Sequence, residues 1–204
     1  ISLEETIKLT KSGILIGTSG QPGSFTEEIV TTMTSNHTNP IIMPLSNPTS
    51  LCEALPEDLI KWSDGNAMIA SGSPFPDVSY NGKEYRISQG NNAFIFPGLG
   101  LGSVSVHAKT LTKGMVRAAC YRLSDLSPMV ISEDITQPLL ANVTDLVAVT
   151  KEITKAVAKQ AILEGVHGVD IDLDDLTDAD IDTEIDNLIN LSSWAPTYAP
   201  YMQI

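Results

Sequence analysis

Cysteine is scarce in this 204-residue chain: Cys52 and Cys120 are the only two, far apart and outside any CxxC spacing. That removes both a disulfide framework and a thiolate metal cluster as organising devices. Basic residues are scarce as well. Twelve Lys and Arg stand against 25 Asp and Glu, a formal net charge of −13, and a phosphate backbone has to be met by a basic face, which argues against a nucleic-acid partner. No apolar run approaches the roughly 20 residues of a membrane helix, and the first residues carry no initiator methionine, basic n-region or apolar h-region. The expectation is a reduced, cytoplasmic protein with no secretory signal and no membrane partner, in a chain that fits a fragment. His37, His107 and His167 have no metal-ligand spacing among them and read as surface or packing residues. Ser71 and Ser73 lack a nucleophile elbow, and neither cysteine has a nearby base to lower its pKa. The residues of this chain therefore supply no catalytic nucleophile and no metal site of their own.

What is present alternates between two periodicities. Ser2 and Glu5 form a capping box that opens a short helix with Leu3 and Ile7 one turn apart. Gly13 to Ser19 is a brief apolar run bounded by glycine, the pattern of a strand buried on both faces. Ser24 and Glu27 predict a second capped helix with Ile29, Val30 and Met33 on its apolar side. Pro40 to Ser46 repeats the buried strand until Pro44 removes a backbone donor, Glu53 to Trp62 reads as a helix with Pro56 suited to its first position, and Ala67 to Ala70 as a third strand. Tyr80-Asn81-Gly82-Lys83 suits a hairpin with a type I′ turn. Helices are expected again over Val104 to Leu123 and Asn142 to Glu164. The order helix, strand, helix, strand, helix, strand implies crossover units and a parallel sheet, so the fold class is α/β, a partial doubly wound sheet with flanking helices, C-terminal helices and an acidic tail. Residues 1–125 would form the sheet domain and 126–204 the helical extension.

Open parallel sheets bind ligands outside the carboxyl ends of their strands. Those ends here, Thr18 to Gly23, Ser46 to Thr49 and Ser71 to Pro76, are rich in small, hydroxyl and amide residues. Gln89 to Gly102 adds two adjacent carboxamides, Asn91 and Asn92, followed by Pro97 and the alternating glycines Gly98, Gly100 and Gly102. As a dinucleotide fingerprint the glycine run fails: Ser103 fills the sixth place, Pro97 interrupts the approach, and the first acid afterwards is Asp125. A close-packed helix entry explains it better. Asp170 to Asp186 carries nine acids and no base, a solvated face or a mobile tail; a calcium loop is ruled out because Asp175 stands where glycine is required and Ile181 where the closing glutamate belongs. The aromatic and proline tail, Trp194 to Tyr201, is expected to pack on its own domain or a neighbouring subunit. The remaining candidates, Thr18, Ser19, Ser46, Asn47, Asn91 and Asn92, are neutral. A carboxamide orients rather than reacts, because its NH2 donates to a carboxylate and its oxygen accepts from a hydroxyl or an amide. On composition alone, Asn47 and Asn91 serve equally well as turn formers.

Leu15-Ile16-Gly17-Thr18-Ser19, Pro44-Leu45-Ser46-Asn47-Pro48-Thr49, Ala70-Ser71-Gly72-Ser73-Pro74-Phe75 and Gln89-Gly90-Asn91-Asn92-Ala93-Phe94-Ile95-Phe96-Pro97-Gly98 resemble, in order and spacing, the carboxyl-terminal part of the malic enzyme family. The resemblance covers roughly Ile1 to Glu164 and implies a Rossmann-like NAD-binding domain. It implies oxidation of L-malate with NAD or NADP and a divalent metal, Mn or Mg, followed by decarboxylation to pyruvate. Under it, Asn47, Asn91 and Asn92 would hold the malate carboxylate and the nicotinamide end of the cofactor, Thr18 and Ser19 would lie beside the nicotinamide ribose, and Ser46 would join the cofactor side. The family's acid tyrosine, base lysine, metal carboxylates and first glycine-rich turn have no counterpart here. The expectation is a carboxyl-terminal portion with no turnover alone, working in a dimer or tetramer. A malolactic enzyme, yielding lactate, and a non-catalytic nucleotide-binding module are the competing readings.

Overall fold

The computed structural model describes residues 1–171 and 177–194. The middle of the acidic run and the aromatic tail from Ala195 onward lie outside the described residues. Contacts divide the chain into two compact units, one of Ile1–Phe94 with Leu123–Val149 and one of Ile95–Arg122 with Thr150–Ile204.

The first unit is built around a four-stranded parallel sheet. Helix α1 (Leu3–Thr10) starts at the expected Ser2 and Glu5 capping box. It leads to β1 (Ile14–Gly17), α2 (Glu27–Asn36), β2 (Ile41–Pro44), a 3-10 turn at Thr49–Leu51, α3 (Pro56–Trp62) and β3 (Met68–Ser71). The hairpin of β4 (Val78–Tyr80) and β5 (Lys83–Tyr85) turns through Asn81 and Gly82, both at positive φ as a type I′ turn requires. Strand β6 (Ser88–Gln89) then pairs parallel to β3, so the sheet order is β1-β2-β3-β6. Ile29, Val30 and Met33 of α2 and Leu59 and Ile60 of α3 close the core over Leu15, Ile42 and Ile69. Helix α6 (Pro128–Ser132), capped by Ser127, also belongs to this unit. It is tied down where Ser127 Oγ donates to Leu139 O and Leu140 N donates to Ser88 Oγ.

Three sequence expectations need correction in this unit. Strand β1 is not buried on both faces: it lies at the sheet edge, and Ile14 and Ile16 are 58% and 57% exposed because only one face is covered. The second helix is capped by Thr26, not Ser24, since Thr26 accepts from Ile29 N and α2 begins at Glu27. Glu53 does not open a helix; α3 begins at Pro56, whose ring suits a first turn that has no use for the missing N–H.

In the second unit, the glycine run lies inside a helix instead of before one. Helix α4 (Phe96–Ser105) contains Gly98, Gly100 and Gly102, the chain breaks at His107 with φ +50, and α5 (Lys113–Asp125) starts afresh. The single helix expected over Val104 to Leu123 is therefore two. Helix α7 (Leu146–Leu163) buries Val149, Ile153, Val157 and Ala161 as its stripe requires. A Cβ on Gly98 would sit 2.6 Å from Ile153 Cγ2, and one on Gly102 2.7 Å from Thr154 O, so close packing against α7 is what the glycines allow. The acidic run contributes a helix to this unit. Thr177 and Asp180 cap α8 (Asp178–Ser192), Ile181, Ile185 and Ile189 are buried, and Asp182 and Asp186 meet Lys159 and Lys155 of α7. The isoleucines at every fourth position turn an acidic stretch into an amphipathic helix.

Candidate functional site

Parallel strands must be joined by crossovers, so their carboxyl ends emerge together on one side of the sheet. In the first unit these ends are knitted by hydrogen bonds that run across all four strands. Leu45 N donates to Gly17 O at 2.8 Å, Gly72 N to Pro44 O at 3.0 Å and Gly90 N to Ser71 O at 2.7 Å. The approach is too close for side chains. A Cβ on Gly72 would lie 2.1 Å from Leu45 O, and one on Gly90 2.9 Å from Leu45 Cδ2.

The candidates Ser19, Ser46, Asn47 and Asn91 all stand on this row of strand ends. Thr18 is exposed directly after β1, and Asn92 is exposed at the start of the 3-10 turn Asn92–Phe94. Asn47 follows β2 at a cis bond to Pro48, and its Oδ1 accepts from the buried hydroxyl of Ser73. Asn91 Oδ1 accepts from Ala93 N at 2.9 Å, while its backbone oxygen accepts from Phe94 N. Both asparagines are thus exposed turn or loop residues, yet each spends its carbonyl oxygen internally and has an NH2 that donates to no other described residue. A site edged by such donors suits a ligand that presents oxygen acceptors, a carboxylate or a primary amide.

Sequence reasoning missed Glu53, which is fully buried. Its Oε1 accepts from Ser19 N at 2.7 Å, Ser19 Oγ at 3.0 Å and Ser46 Oγ at 2.5 Å, and its Oε2 from Ser46 N at 3.3 Å. Burial pushes this carboxyl up, but the donors from Ser46 and Ser19 more than offset it and hold the pKa at about 2. The sequence carries only a faint sign of it, one acid among Leu51, Cys52, Ala54 and Leu55, and none of its partners. Ser73 and Gln89 were also missed; Gln89 Nε2 donates to Gly72 O at 3.1 Å and braces the loop after β3.

His37, His167 and Cys52 have structural partners. His37 Nε2 lies 2.6 Å from Lys11 O and His167 Nδ1 3.0 Å from Val169 O. Burial raises the Cys52 thiol, whose Sγ donates to Ala54 O at 3.1 Å. Among the described residues no three His, Cys, Asp or Glu side chains converge on one point, and both Glu53 oxygens are occupied. These residues do not fit a divalent metal. No helix among the described residues is long and apolar enough to cross a membrane.

Residues 1–162 match the family model described as the NAD-binding domain of malic enzyme. An NAD-dependent malic enzyme of Photorhabdus laumondii is 44% identical over 201 residues, covering 98% of this chain and 34% of the relative. The NAD-dependent malic enzyme of Acinetobacter baylyi is 50% identical over 166 residues, covering 81% and 29%. The chain thus spans about a third of the length of the curated relatives it matches. A malic enzyme crystal structure from Pyrococcus horikoshii aligns with a TM-score of 0.63 at 24% identity, over 92% of this chain and 37% of that one, a likeness of fold.

Proposed function

This chain belongs to the malic enzyme family through its NAD-binding domain, and from that premise we propose that it supplies the cofactor-binding and substrate-orienting part of an enzyme that oxidises and decarboxylates L-malate to pyruvate and CO2. The observation that carries the reading is the pair Asn47 and Asn91, each with its carbonyl oxygen engaged internally and its NH2 left to donate. Asn47, Asn91 and Asn92 take the malate carboxylate and the nicotinamide amide. Thr18, Ser19 and Ser46 line the ribose side of an NAD whose nicotinamide accepts the hydride. Support for NAD comes from the names of the relatives.

None of these groups exchanges a proton near neutral pH, so the acid, the base and the Mn or Mg ligands belong to other parts of the polypeptide. The chain by itself has no turnover. Residues 1–125 act as the NAD-binding portion, 126–204 as its helical extension, within a cytoplasmic homo-oligomer. The test is malate-dependent NADH formation with Mn. The complete polypeptide produces NADH and pyruvate; the 204-residue chain alone produces neither. Lactate without released NADH would move the assignment to a malolactic enzyme, and NAD binding with no turnover in the complete polypeptide would leave a nucleotide-binding module.

A further inference from the structure

Glu53 stands on neither of the loops it binds. It follows the 3-10 turn Thr49–Leu51 and precedes α3, yet all four of its donors come from Ser19 after β1 and Ser46 after β2. The same Ser46 hydroxyl that donates to Glu53 accepts from Gly20 N at 2.8 Å, so the carboxylate also sets the orientation in which one loop holds the other. Room has been left for it. A Cβ on Gly17, the last residue of β1, would lie 2.6 Å from Glu53 Cδ and 2.7 Å from Phe25 Cζ. Phe25 N in turn donates to Glu53 O at 3.2 Å, which fastens the residue at its backbone.

We infer that Glu53 is a positioning residue for cofactor binding, a buried clasp that holds the Ser19-Gly20 loop against the Ser46-Asn47 loop and sets the gap between them before any ligand arrives. The inference rests on the assignment of these loops to the nicotinamide end of NAD. Glu53 touches neither substrate nor cofactor, because its oxygens are filled by the loops. An amide cannot replace it. Three donors converge on Oε1 and Ser46 N alone meets Oε2, so a glutamine that keeps its oxygen under the three turns its NH2 on the buried Ser46 N–H, leaves that donor without a partner and removes the charge that strengthens the other three.

The test is NAD affinity in the complete polypeptide, read by calorimetry beside the thermal midpoint. Glu53→Gln is expected to raise the Kd for NAD by about tenfold or more, the size of a lost charge-assisted hydrogen bond. Glu53→Asp, which keeps the charge and shortens the reach, falls between that variant and the wild type. Ile42→Val in the core lowers the midpoint while its Kd stays within twofold of the wild type. A Glu53→Gln Kd within twofold of the wild type overturns the clasp, as does an Ile42→Val variant that loses affinity in step with its midpoint. A wild type that binds no NAD overturns the functional reading itself. Should neither Glu53 variant fold, the wild type still decides. Backbone amide exchange at Ser19, Gly20 and Ser46 is expected to be slow without NAD, and exchange at free-loop rates there overturns the proposal.

Discussion

Gly90-Asn91-Asn92 and Gly98-Leu99-Gly100-Leu101-Gly102 lie in one span of 13 residues and both rely on glycine, yet they do different physical work. In the first, glycine brings backbone against Leu45 at the end of the sheet and leaves two amides exposed. In the second, glycine removes side chains from the face of α4 so that α7 can approach, with Ile153 and Thr154 O as neighbours. The second arrangement makes a helix contact; the first is the edge to which the proposed function assigns the ligand. Glycine spacing does not separate the two. What a Cβ at each position would strike does.

That contrast predicts that ligand-edge variants lose function at unchanged stability while helix-contact variants lose stability at unchanged affinity. The largest effect is expected from Asn91→Asp in the complete polypeptide. The carboxylate still accepts from Ala93 N and preserves the turn, but the NH2 donor is gone and, in the proposed site, a like charge would face the malate carboxylate. Activity (kcat/KM) for malate should fall roughly 100-fold, from the 1.5–3 kcal/mol of a hydrogen bond to a charged group, with the thermal midpoint unmoved. A purely turn-forming Asn91 would leave activity intact.

Acid unfolding measures the clasp next. The Glu53 pKa of about 2 lies below its ordinary value of 4.5, so its stabilisation is fully present above about pH 4.5 and is lost as pH falls toward 2. The difference is roughly 3 kcal/mol. Denaturant titrations of wild type and Glu53→Gln should therefore converge as pH drops through that window; parallel curves would remove the charge from the account. In the helical unit, Gly98→Ala should cost about 2 kcal/mol by overpacking Ile153 and leave the Kd for NAD alone. The smallest effect belongs to Lys155→Met. Its pair with Asp186 is about one-third exposed on each side, so chemical denaturation should register no more than about 0.5 kcal/mol.

Much of the fold was readable because it is local. The Ser2 cap, the Pro44 stop, the Asn81-Gly82 turn and the Val149-to-Ala161 stripe each announce themselves within a few residues. The misses are non-local. Nothing near Ile14 and Ile16 says that their strand is a sheet edge, and Ser24 matches a cap pattern as well as Thr26 does. Two-residue β6 exists only because Ala70 and Ser71 are there to pair with it. At the site, the hydroxyls and amides were visible as residue types at strand ends. The group that organises two of them was not, because Glu53 meets Ser19 across 34 positions of sequence and sits where an acid before Pro56 looks like an ordinary helix start.

The ligand edge and the helix contact separate most directly in hydrogen–deuterium exchange on the complete polypeptide with and without NAD. Peptides covering 17–20, 45–49 and 89–93 should gain protection on NAD binding, while the α4 peptide 96–105 should not change. Protection confined to the glycines of α4, with the strand ends unaltered, would contradict the account.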